Sequence, residues 1–407
     1  MPNKSTPRSL DVEKQDHHDS DSSRNNSVDS SGPFAGLSAK DRIHHFTWAW
    51  YTLTMSTGGI ATLLEGQPHS FPGLFEIGVF FYGLNLTIFA GVTITLIVRF
   101  IAHPGDLMNS IRHEREGLFV PTFFLTIATI ISGTHRFIVI PSRAGGESPA
   151  STWLLMSIAL AYWVYYVATF CLAIAQYAYL FAGHDYHLTK MMPSWLLPIF
   201  PSMLSGTIAS IIAIDQPVSM RLPMLVSGLA AQGLGFWVAI LMYAHLIGRL
   251  MQVGLPNREH RAALFIGVGP PSFTALALIG MSKAIPDDIY ILGNPVDPSL
   301  FRTVATLCAI SLWLLAFWFF CITVIAVAIQ PPKFFHLGMW ACVFPNTGFT
   351  IATISIGNAL DNEAIRYVGN SMTVVIVLMW LIIVSFQIRA ILKNHILWPG
   401  RDEDVED

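Results

Sequence analysis

Residues 303–329, TVATLCAISLWLLAFWFFCITVIAVAI, hold no charged side chain, no glycine and no proline. A helix through such a run is apolar on every side and belongs in lipid or deep inside a protein. Roughly 20 helical residues suffice to cross a bilayer core of about 30 Å. Runs of this kind return along the whole chain. Ten candidate spans lie near 46–64, 74–100, 118–138, 152–181, 195–214, 224–250, 262–283, 299–329, 334–357 and 366–392. In lipid every backbone N–H and C=O must be satisfied within the protein, which leaves helices or closed barrels. Period-two alternation is absent, so the spans are helices. The composition agrees, with 53% hydrophobic and 12% charged residues and a mean hydropathy of +0.53. A net charge of −3 and the lack of a basic cluster give no footing for nucleic acid.

The two ends read differently. Residues 1–42 are rich in Ser, Asp and His and cannot bury enough apolar surface to order themselves, so a disordered tail is expected. The tail lacks the apolar core of a signal peptide. Residues 396–407 form a short acidic tail, which leaves 43–395 as a single ten-helix domain. The pairs His17–His18 and His44–His45 are either metal ligands or solvated side chains; the polar surroundings favour the second, and no metal or cofactor is expected. Cys171, Cys308, Cys321 and Cys342 all lie in apolar runs, where cysteine acts as a small packing residue. With the N-terminus in the cytosol, 17 of the 23 Lys and Arg residues fall on the cytosolic side. Only Arg136, Arg143, Arg221, Lys283, Arg302 and Arg366 fall outside. Positive charge marks the cytosolic side, so both termini are expected there.

Proline divides the spans into two kinds. The even-numbered spans have none in their interiors; Pro149, Pro223 and Pro298 stand at or before their starts, where proline is tolerated. The odd spans carry Pro121, Pro198 with Pro201, Pro270 with Pro271, and Pro345, each followed by small residues: the SG pairs at 132–133 and 205–206, Gly280 and Gly357. The first span has STGG at 56–59 instead of a proline. Proline removes a hydrogen bond and clashes with the preceding turn, so helix breaks are expected at these residues. The pattern predicts an all-α integral membrane protein of five helical hairpins. Five kinked odd helices surround a central pore, and five longer, straight even helices form an outer ring in contact with lipid.

No Asp, Glu, Lys or Arg falls at the middle of a span, where it would be costly. The expected pore lining is hydroxyl and amide: Thr54, Ser56, Thr57, Thr129, Ser132, Ser205, Thr207, Ser272, Thr274, Asn346 and Thr347. Helix breaks would add backbone N–H groups suited to anions. Arg136 and Lys283 each follow a small residue by three positions and lie near the outer mouth, where they either concentrate anions or snorkel as ordinary interfacial residues. His135 either couples transport to protons or is a hydrogen-bonded structural residue.

The ten-span hairpin pattern, MSTGGIATLL at 55–64, GLFVPTFFLTIATIISG at 117–133 and VFPNTGFTIAT at 343–353 resemble the tellurite-resistance/dicarboxylate transporter family. That family includes fungal malic acid permeases, fungal sulfite efflux pumps and the slow-type anion channels of plant guard cells. The resemblance spans about residues 43–395. STGGIA and EGLFVPTF look most like the malic acid permease branch, whereas VFPNTGF is shared with the sulfite branch. The resemblance implies a central pore in each subunit, commonly a trimer, and a phenylalanine on the ninth helix that occludes the pore. Phe344 stands at the matching position, directly before Pro345.

The expected function is transport of C4-dicarboxylates (malate, with succinate or fumarate) across the plasma membrane. Efflux of sulfite or another small anion is the alternative. An enzyme is disfavoured: no metal triad or nucleophile elbow occurs. GVGPPSF at 267–273 lacks the Lys-Ser/Thr of a phosphate loop, and no soluble nucleotide-binding domain accompanies the spans. The expected partners are small dicarboxylate anions, membrane lipids and further copies of the chain.

Overall fold

The computed structural model describes residues 39–144, 149–183, 187–291 and 294–397. Residues 1–38 of the expected disordered tail, and 398–407 of the acidic tail, lie outside the described residues. Residues 39–42 of that tail belong to a short helix, Ala39–His44. Ten principal helices follow, here numbered α1 to α10. The odd ones are α1 (Tyr51–Glu65), α3 (Val120–Thr134), α5 (Phe200–Ile212), α7 (Gly269–Lys283) and α9 (Phe344–Ala359). The even ones are α2 (Leu74–Ala102), α4 (Pro149–Gly183), α6 (Val218–Val253), α8 (Pro298–Ile329) and α10 (Glu363–Leu392). The only strands among the described residues are two-residue pieces, Tyr290–Ile291 and Asn294–Pro295, paired antiparallel between α7 and α8.

Burial separates two rings. The apolar windows of the even spans are 22–39% buried, while those of the third, fifth, seventh and ninth spans are 56–89% buried. The first span is not among the nine candidate spans of the described residues, its threonines, serine, glycines and Glu65 making it less apolar than the rest, yet α1 is buried over nearly its whole length. The odd helices touch in the cyclic order α1–α3–α5–α7–α9–α1, and each packs on the even helix that follows it. The outer helices run for 29–36 residues and turn side chains such as Trp153, Leu160, Phe181, Trp237 and Leu314 outward. Such apolar exposure over a whole ring is what lipid contact requires.

Every inner span begins as a 3₁₀ helix: Trp48–Trp50, Glu116–Phe119, Pro193–Ile199, Arg258–Val268 and Leu337–Cys342. Each then passes to α winding. Pro121, Pro201, Pro270 and Pro345 occupy the second α residue of their helices, where a missing N–H costs least. Thr52 holds that position in α1, and its hydroxyl donates to the Ala49 carbonyl at 2.6 Å. Pro198 sits within the 3₁₀ stretch, and Pro271 follows Pro270 in the first α turn. The change is thus one of winding at the start of each helix rather than a gap in its interior. The 3₁₀ form rises about 2.0 Å per residue against about 1.5 Å for the α form, which lengthens these shorter spans.

The small-residue motifs do not break their helices. Gly58 and Gly59, Gly133, Gly206, Gly280 and Gly357 all lie within continuous α segments. They are points of close approach. A Cβ at Gly59 would stand 2.8 Å from Thr347 Oγ1, and one at Gly348 would stand 2.8 Å from the Phe273 ring. Outer-ring tyrosines secure the junctions from behind: Tyr165 OH donates to the Pro201 carbonyl at 2.9 Å, and Tyr243 OH donates to the Gly267 carbonyl at 2.7 Å.

Candidate functional site: two cavities divided by an aromatic residue

At the 3₁₀ end, the inner helices and their connecting segments enclose a cavity of about 600 Å³. Its floor is apolar and includes Met55, Phe119, Leu125, Phe200 and Phe344. Its walls carry Arg115, Lys190 and Arg249 with four histidines, against one carboxylate, Glu114. Cations in a concave wall strengthen the local positive field and favour anions. Arg249 also ties two loops together, donating to the carbonyls of Thr189 at 3.4 Å and Gly254 at 3.1 Å.

A second cavity, of about 50 Å³, lies further along the same ring. All five inner spans contribute to it. Its lining recurs at three- and four-residue intervals, as the face of a helix must: Ala128, Thr129, Ser132 and Arg136 from the third span, and Leu204, Thr207, Ile208 and Ile211 from α5. Its volume holds a water or two, a water's share of the liquid being about 30 Å³.

Phe344 lines both cavities. It is 3% exposed and is the first residue of α9, directly after Val343 turns the chain with φ −105° and ψ −66°. Its ring packs on Phe273 with centroids 5.2 Å apart at 30°. On another side it faces Gly59, where a Cβ would stand 3.4 Å from the ring. The polar residues after it serve the junction. Thr347 Oγ1 donates to the Phe344 carbonyl at 2.7 Å, and Asn346 Nδ2 donates to the Cys342 carbonyl at 2.9 Å. Thr347 also lines the smaller cavity, while Asn346 Oδ1 is buried without a hydrogen-bond partner. The backbone amide of Thr347 is bound to the Val343 carbonyl at 2.9 Å, so it is not among the open N–H groups expected at a break.

The remaining expected site residues divide clearly. Ser132 and Arg136 line the smaller cavity, as do Thr129 and Thr207. Arg136 is ion-paired with Glu65, the last residue of α1. Thr57 points away from the path: its hydroxyl donates to the Leu53 carbonyl and accepts from Trp380 Nε1 of the outer helix α10. Ser56 and Ser205 are buried, their hydroxyls lack a partner, and neither lines either of these two cavities; Thr54, Ser272 and Thr274 are buried too, donate to the carbonyls of Tyr51, Val268 and Pro270, and line neither. His135 opens a π-helical turn, His135–Val139, with Nε2 3.1 Å from an Asp215 carboxylate oxygen but poorly aligned for a hydrogen bond. Lys283 is exposed and lines neither cavity. The residues not anticipated as site residues are Phe273, Gly59, Glu65 and the cations of the larger cavity.

A buried helical ring enclosing cavities, wrapped by a ring with a lipid-compatible surface, defines a multi-pass membrane transporter or channel. Residues 45–388 match the SLAC1 family, described as voltage-dependent anion channel, and the chain belongs to that family. The chain is 33% identical over 369 residues to a malic acid transport protein of Schizosaccharomyces pombe, covering 89% of this chain and 82% of that protein. It is 35% identical over 375 residues to a putative malic acid transport protein of the same yeast, covering 90% and 84%. It is also 25% identical over 373 residues to the sulfite efflux pump SSU1 of Trichophyton rubrum, covering 87% and 94%. The family and these relatives are transporters or channels, not enzymes.

Proposed function

We propose that this protein moves C4-dicarboxylate anions, malate foremost with succinate and fumarate, along the axis of the inner ring. Phe344 is the gate of that path. The observation that carries this reading is the position of Phe344, which lines both the larger cavity and the smaller one. An anion enters the larger cavity under the attraction of Arg115, Lys190 and Arg249. It passes when the Phe344 ring moves off Phe273, and it then meets Thr347, Ser132 and Arg136. A dicarboxylate needs donors or cations at two separated points, and the cations beside the two cavities supply them. Asn346, Ser56 and Ser205 have polar atoms in reserve should the helices shift as the path opens. His135, beside Asp215, is the candidate for any proton coupling.

The charge bias across the spans supports a cytosolic larger cavity and cytosolic termini, in the plasma membrane. The lipid-compatible outer ring leaves room for contacts between copies, and a trimer follows from the family resemblance. Sulfite efflux is the second reading, favoured by the relatives at 25% identity, against 33% and 35% for the relatives named for malic acid transport.

Counterflow of labelled malate and of sulfite in proteoliposomes tests the substrate, run with and without imposed voltage and pH gradients. Malate flux is expected. Robust sulfite flux with no malate flux would overturn the assignment.

A further inference from the structure

The paired histidines at 44–45 find a use in the fold. His44 ends the helix Ala39–His44, before α1. His103 and Asp106 lie far along the chain, on either side of the turn after α2 where Gly105 adopts φ 101°. Folding brings the three together. His44 Nε2 lies 3.2 Å from Asp106 Oδ2, and the rings of His44 and His103 meet edge to face with centroids 4.7 Å apart. One ligand atom from each of the three residues lies within 4.8 Å of the other two. Among the described residues this is the one group of three His, Cys, Asp or Glu side chains so disposed.

We propose that His44, His103 and Asp106 form a binding site for a divalent transition metal, zinc by preference. Two imidazoles and a carboxylate are a common zinc donor set, and three protein ligands leave the fourth position to water. Bonds of about 2.0–2.2 Å in a tetrahedron set ligand–ligand edges of roughly 3.3–3.6 Å. The His44–Asp106 pair already stands near that edge, and the wider pairs close by imidazole rotation. Arg99 also approaches Asp106 Oδ2, at 3.4 Å. Its stronger partners are Glu116 Oε1 at 2.6 Å and the Phe46 carbonyl at 2.8 Å, so Glu116 balances its charge and Asp106 keeps its own for a cation. The site is reachable, the His44 side chain being 47% exposed.

Metal here clamps the segment before α1 to the turn after α2. From that turn the short helix Asp106–Arg112 leads directly to His113 and Arg115 on the wall of the larger cavity. The clamp therefore steadies a segment that supplies that wall. The proposal stands on these three residues and is independent of which anion is carried.

The test uses the full-length chain, purified in detergent and stripped with a chelator. Zinc is titrated by calorimetry, and cobalt is added as a spectroscopic probe for tetrahedral N/O coordination. The background variant H17A/H18A removes the other histidine pair. One zinc per chain is expected in that background, with a rise in the unfolding temperature. H103Q and D106N are expected to weaken binding by roughly tenfold or more. H44Q should do the same and keeps the fold, because that side chain is half exposed. Absence of zinc binding in the H17A/H18A chain would overturn the site, and so would affinity unchanged in H44Q and H103Q.

Discussion

Replacing Phe344 by Ala separates a gate from a packing residue by two measurements on one sample. In a sealed core, Phe→Ala costs roughly 3–5 kcal/mol, part of which is a cavity term of about 24 cal/mol per Å³. Phe344 is 3% exposed, so burial alone would place it in that class. Its surroundings argue otherwise. The ring borders a cavity of about 600 Å³ on one side and one of about 50 Å³ on the other, so the space it vacates joins existing solvent space. The cavity term then falls away. What remains is the contact with Phe273, an aromatic pair worth about 0.5–1.5 kcal/mol, and some lost apolar burial. A destabilisation of about 1–2 kcal/mol is expected, with raised anion conductance and weaker selectivity. Phe349→Ala, on the same helix, is the control. Phe349 is 2% exposed, packs on Trp313, Phe317 and Phe320, and lines neither cavity. It should lose the full roughly 3–5 kcal/mol with no gain in conductance. Thermal unfolding in detergent and current in proteoliposomes, measured on the same preparations, decide the matter. A Phe344→Ala protein as unstable as Phe349→Ala, with no added conductance, would refute the gate.

Four further substitutions probe the surroundings. Gly59→Ala puts a Cβ 2.8 Å from Thr347 Oγ1 and 3.4 Å from the Phe344 ring, so it should wedge the ring in place and lower malate flux without loss of protein; flux at the parent rate would show that the ring is not held there. Arg136→Gln should raise the malate concentration for half-maximal uptake, whereas Glu65→Gln should lower it by removing the carboxylate that competes for Arg136; uptake curves that shift in the same direction would sink that account. Lys283→Ala should leave uptake affinity unchanged, because the side chain is exposed and lines neither cavity; a marked loss of affinity would put it back in the path.

The alternation of inner and outer spans was legible because the two rings meet different solvents. An outer helix needs only hydrocarbon, as residues 303–329 show, whereas the inner helices carry hydroxyls and glycines and, in four of the five, a proline at the junction. The junctions were read less well. Breaks were expected at prolines 121, 201, 270 and 345, which stand instead where 3₁₀ winding passes to α; proline fixes only its own missing N–H, and how the chain winds there depends on the neighbouring helices. The STGG motif misled for a related reason: Gly58 and Gly59 let α3 and α9 come close rather than breaking α1. Phe273 carried no local signal at all, because its role arises only from meeting Phe344 on another helix. Glu65 and the cations of the larger cavity were visible as charges, but those cations were counted for orientation alone. His44 was noticed, while His103 and Asp106 became its neighbours only through the hairpin of α1 and α2.

The five walls of the inner ring share a backbone plan without sharing a sequence. At the second α residue four walls carry proline and one carries threonine, and the packed aromatic pair Phe273–Phe344 comes from two adjacent walls. A conduit assembled from identical subunits changes all its walls at once when one codon changes. Here each codon alters a single wall. The width and polarity of the space inside the ring are therefore separately tunable in small steps, and its lining differs from one side of the ring to the other.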